Sequence, residues 1–80
     1  MAKIRLGLNR SVEVLGGNVK IVSGASRFNA PLSQIKGMHV ERRFFRGWSL
    51  VINTGGVQKI MKFGTEKQAN KVKSFINEHR

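Results

Sequence analysis

The chain has no cysteine, no aspartate and no tyrosine, and its only acids are four glutamates. Without cysteine there is neither a disulfide framework nor a thiolate metal site. Magnesium and calcium sites draw on clustered carboxylates, so a chain without aspartate is not expected to build one. Proline occurs once, at Pro31, which leaves almost every residue able to donate its backbone N–H to a ladder or helix. Apolar runs are short: the longest, such as Leu50-Val51-Ile52, have three residues, against the ~20 that a helix needs to cross a bilayer. No stretch has the form of a signal peptide. The expected address is the cytoplasm.

Positive charge is what the chain has in excess. Fifteen lysines and arginines give a formal net charge of +11 on 80 residues, with a sequence pI near 11.7. A soluble domain of this size ordinarily carries a net charge of ~2–8. Such a field concentrates polyanions and speeds their encounter. The natural partners are nucleic acid, an acidic protein or an anionic membrane surface. Eighty residues suit one domain, spanning 1–80, around a single core that buries ~60% of the unfolded chain's surface.

Up to residue 63 the hydrophobic pattern alternates with a period of two. Ile4, Leu6 and Leu8 alternate with Lys3, Arg5 and Gly7, and Val12 and Val14 flank Glu13, as half-buried strands require. "GGN" at 16–18 marks a hairpin turn into a strand over Val19–Val22, because glycines accept positive φ. "SGAS" at 23–26 closes that strand, and "RFNAPLSQIKG" reads as a long connection with Leu32 and Ile35 anchored in the core. Pro31 excludes the middle of a sheet there. Strands are expected from about Met38 to Phe45 and Trp48 to Asn53, meeting at Arg46-Gly47. The turn "NTGG" then leads into a strand over Val57–Phe63.

After residue 64 the period changes. Thr65 followed by Gln68 is a capping-box pattern, and Glu66 sits in the first turn, where the helix dipole favours an anion. Ala69, Val72, Phe75 and Ile76 share one face, with Lys67, Lys71, Ser74 and Glu78 opposite. The spacing predicts a helix from 65 or 66 to about 78. The expected fold is mainly β, with six or seven short antiparallel strands in a barrel or sandwich capped by this helix.

The stretch "FNAPLSQIKGMHVERRFFRGWSLVINTGGVQKIMKFGTEKQANKVKSFI" resembles the second half of bacterial pleckstrin-homology-like domains of the GRAM type. There a "pLsqI" segment precedes a long strand, and a glycine hairpin and a "K-F" strand lead into a capped C-terminal helix that plugs the barrel. The match covers about fifty residues by motif and the first thirty by pattern alone. It implies a scaffold for binding lipid, protein or another ligand, without inherent catalysis. A small SH3-like barrel with a C-terminal helix, as in archaeal chromatin proteins, is the competing basic β architecture. The "PLSQI" connection and the chain length favour the former.

Catalytic constellations are scarce. His39 and Glu41 share a strand face two residues apart, but no third residue has metal-ligand spacing. None of the serines lies in a nucleophile elbow, and the paired glycines lack the Lys-Ser/Thr of a phosphate loop. No cofactor and no enzymatic activity are expected.

The cations fall into three groups. On the hairpin "HVERRFFRGWSLVI", alternation puts Arg42 on the face of Met38 and Val40, which would bury a guanidinium unless a β-bulge intervenes near "RRFF". Arg42, Arg43 and Arg46 with Phe45 make the hairpin tip a candidate anion site, since arginine forks onto phosphate and an exposed ring stacks on a base. Lys3, Arg5 and Arg10 form a second group on the first strand and its turn. They match neither the spacing nor the order of the phosphoinositide motif of pleckstrin-homology domains, so specific lipid recognition is not expected. Lys59 and Lys62, ahead of the helical Lys67, Lys71 and Lys73, form the third. The favoured function is a non-catalytic module that binds the nucleic-acid phosphate backbone with little sequence specificity. The alternative is an adaptor or inhibitor that binds a protein or an anionic membrane surface.

Overall fold

A computed structural model describes residues 2–43 and 47–80 of the chain. Within them, seven strands form two antiparallel sheets, followed by one helix. The first sheet is a meander of β1 (Ala2–Gly7), β2 (Arg10–Leu15), β3 (Asn18–Ser23) and β4 (Ser26–Pro31). A single 3₁₀ turn, Leu32–Gln34, leads to the second meander of β5 (Gly37–Arg43), β6 (Gly47–Asn53) and β7 (Gln58–Phe63). The helix, α1, runs from Glu66 to Glu78. The ladders do not close into a barrel.

Local chemistry explains the turns. Gly16 and Gly17 link Leu15 to its partner Asn18 with φ of 58° and 80°. Two successive positive φ values make the tight hairpin whose twist suits the flanking strands. At Gly24-Ala25 a single positive φ of 62° on the glycine suffices.

The second of these hairpins corrects the sequence expectation for residues 26–31. They form an edge strand, with Phe28 buried and paired to Ile21. Pro31 is its last residue, where the missing N–H costs no central ladder bond. Leu32 and Ile35 do anchor the connection, Ile35 being buried and Leu32 packed against the core. Leu8 departs from its expected place as well. The β1–β2 register shifts between Arg5 and Gly7, so Leu8 falls in the two-residue turn with Asn9 and leaves the core face.

The core lies between the sheets. Val12, Val14, Val19, Ile21 and Phe28 come from the first, and Leu50, Ile52, Met61 and Phe63 from the second. Ala69, Val72 and Ile76 of α1 complete it. The helix packs on β5, β6 and β7. Thr65 caps it, its Oγ1 accepting from the Gln68 N–H at 3.2 Å. The Gln68 side chain does not return to the cap: its Nε2 donates to the Leu6 carbonyl at 3.2 Å, tying α1 to β1. At the other side, the Ser23 hydroxyl donates to the Lys62 carbonyl and ties β3 to β7.

Arg42 is exposed, but not through the expected bulge: the β5–β6 ladder is regular through Arg43 and Gly47. No bulge is needed there because the core ends at this row: Trp48, the partner of Arg42, is itself only half-buried. The remainder of the expected bulge, at Phe44 and Phe45, lies outside the described residues. Among the described residues, no helix is long and apolar enough to cross a membrane.

Candidate anion-binding face

Two cross-strand rows organise the outer face of the four-stranded sheet. One reads Lys3, Glu13, Lys20 and Asn29 across β1 to β4, and the next reads Arg5, Ser11, Val22 and Arg27. Odd-numbered β1 and β2 positions point away from the core, because their even-numbered neighbours Ile4, Val12 and Val14 face it. Lys3, Arg5, Lys20 and Arg27 are all exposed. None of the four makes an ion pair among the described residues, so four cations face solvent around a single carboxylate.

Sheet geometry sets the spacing of this field. Strands lie ~4.8 Å apart and two residues along a strand span ~6.7 Å. Lys3 and Lys20, two strands apart, are therefore ~10 Å apart at the backbone, and Arg5 and Arg27, three strands apart, ~14 Å. Beside these rows is a concavity of about 360 Å³, lined by Lys3, Arg5, Ser11 and Val22 and by the Leu8-Asn9 turn.

The sequence-predicted cations distribute as follows. Lys3 and Arg5 belong to this face. Arg10 borders the same concavity, but it starts β2 on the core-facing parity, and its Nη1 lies 3.5 Å from Gln68 Oε1 at the start of α1. Lys59 and Lys62 are both exposed yet point to opposite sides of β7, being three residues apart on one strand. Arg42 is exposed at the far end of β5. The backbone of Arg43 closes the β5–β6 ladder, while Phe45 and Arg46 lie outside the described residues. Lys20 and Arg27 escaped sequence reasoning. Each sits alone among neutral neighbours, and only the β2–β3 and β3–β4 pairings bring them beside Lys3 and Arg5.

The outer face of the three-stranded sheet is built differently. His39 Nε2 lies 3.7 Å from Glu41 Oε2, both partly exposed. Glu41 stands opposite Ser49, whose buried hydroxyl has no hydrogen-bond partner among the described residues. Nor do any three His, Asp or Glu side chains among them gather as a metal site would require.

No protein-family model, no curated protein and no solved structure matches the chain.

Proposed function

We propose that the protein is a non-catalytic module that binds the phosphate backbone of nucleic acid with little sequence specificity. The observation that carries this reading is the set of four exposed cations, Lys3, Arg5, Lys20 and Arg27, on one sheet face, without an ion pair among the described residues. Cations held at fixed spacing on a sheet neutralise phosphates and release counterions, contacts that carry no sequence information of their own. The net charge of +11 supplies the long-range attraction. A cytoplasmic setting is part of the same reading.

The test is binding to labelled DNA and RNA across a salt series from about 50 to 200 mM. Wild-type affinity should fall steeply with salt. A Lys3, Arg5, Lys20, Arg27 quadruple-alanine variant should bind weakly, with a slope shallower by roughly 0.9 for each phosphate it no longer neutralises. An Arg42, Arg43, Arg46 triple-alanine variant measures the share of the β5–β6 hairpin. Wild-type affinity in the quadruple variant, beside weakened binding in the triple variant, would move the site to that hairpin.

A second reading is a pleckstrin-homology-like adaptor that docks an acidic protein. What favours it is the edge position of β1, which among the described residues pairs with β2 alone and, apart from the Leu6 carbonyl taken by Gln68, leaves a side on which an incoming strand could add. The placement of α1 against the inner faces of the sheets accords with the plugging helix of that family.

A further inference from the structure

We propose that the nucleic acid taken by this face is a duplex, and that Leu8 is its apolar wedge, entering the minor groove at the tip of the β1–β2 hairpin beside phosphates held by Lys3 and Arg5. This rests on the function proposed above and names its substrate class.

Leu8 is the starting point. It is 92% exposed, more than any other large hydrophobic residue described. It contributes nothing to the core, and the turn does not require it, since the left-handed residue there is Asn9 with φ of 61°. Its side chain is therefore free to meet a partner without any loss of core packing. Its surroundings are specific: it lines the same concavity as Lys3 and Arg5. The other apolar hairpin residues, Leu15 and Val57, lie at the opposite end of the sheets, near the 3₁₀ turn, away from the Arg5–Arg27 row.

The rest of the face discriminates between nucleic-acid forms. Single strands are held by stacking their bases on aromatic rings. Among the described residues no ring lies on this face: Phe28 and Phe63 are buried, and Trp48 and Phe75 pack against the core. A face with cations and no rings suits a backbone whose bases are already stacked on one another. Duplex binders of this kind insert leucine or a similar side chain at a base step from the minor groove, unstack it and kink the DNA away from the protein. Charge complementarity holds the duplex, and the hairpin tip supplies the wedge.

The experiment uses the full chain, its Leu8→Ser variant and a Lys3→Ala/Arg5→Ala variant. The probes are a DNA duplex of about 20 base pairs carrying a fluorophore at each end, one of its strands alone, and vesicles containing phosphatidylserine. The wild type should prefer duplex to single strand and raise end-to-end energy transfer by bending it. Leu8→Ser should fold as the wild type does, lose the bend, and weaken duplex binding about tenfold or more, with an unchanged salt slope because every cation is retained. Lys3→Ala/Arg5→Ala should instead flatten the slope. Equal binding of duplex and single strand, or undiminished bending by Leu8→Ser, would overturn the wedge and leave the phosphate-binding reading standing. No binding to either nucleic acid at about 50 mM salt would overturn both. Vesicle binding sensitive to Leu8→Ser, in place of nucleic-acid binding, would overturn the wedge as well and assign the tip to a membrane interface.

Discussion

On the outer face of the four-stranded sheet, Lys3, Arg5, Lys20 and Arg27 stand in solvent, whereas across the core the outer face of the three-stranded sheet buries Ser49 and Val51 completely or nearly so. In β6 four consecutive residues, Ser49 to Ile52, are buried. Leu50 and Ile52 meet α1 and the first sheet, while Val51 is flanked by His39 and Ile60, and Ser49 by Glu41 and Lys62. No strand of the first sheet is enclosed in this way: the alternation of β3 exposes Lys20 between Val19 and Ile21. The molecule therefore concentrates its structural constraint in β6 and leaves the face of β1–β4 free to carry charge. A face whose side chains stand exposed can be altered without loss of the fold.

That contrast can be broken by measurement, beginning where the effect is largest. Leu50→Ala should destabilise the fold by about 2–5 kcal/mol, through reduced burial and a residual cavity, and lower the midpoint of urea unfolding accordingly. A cost under about 1 kcal/mol would show that β6 is not the structural centre. Gln68→Ala should cost about 1–2 kcal/mol, because the Leu6 carbonyl loses its donor and the tie between α1 and β1 goes with it. A thermal melt of the purified variant would show it. Ser49→Ala should act in the opposite direction and stabilise by about 1 kcal/mol, since it removes a buried hydroxyl with no partner among the described residues. A lowered melting temperature would mean that the hydroxyl is satisfied in solution. Smallest of all, Lys20→Ala and Arg27→Ala should each change stability by less than about 0.5 kcal/mol, even as they weaken polyanion binding. A greater destabilisation would place these side chains among the structural ones and erase the contrast.

Several elements were legible because their signals are local. Thr65 caps α1, and the helix ends at Glu78, as the period change implies. The "GGN" turn forms where two glycines permit positive φ. Phe75 is the exception on the helix face: it is only half-buried, and its ring lies 4.7 Å from that of His79. What resisted reading was non-local. Residues 26–31 carry too few apolar side chains, and a proline, to read as a strand. They become one because β3 offers an edge and Phe28 a place in the core. Leu8 continues an apolar alternation in the sequence, yet the register shift after Arg5 sends it to solvent. Of the candidate site, Lys3 and Arg5 were legible as a pair two residues apart on one strand, while Lys20 and Arg27 join them only through pairing.

By itself, the sequence determined the charge, the mostly β content, the glycine turns and the capped helix, since each follows from composition or from neighbours within a few residues. Tertiary structure decided which strands share a sheet, which face of that sheet is left to solvent, and which distant cations meet on it. Those outcomes depend on pairing and burial between segments far apart in the chain, and no short-range pattern encodes them.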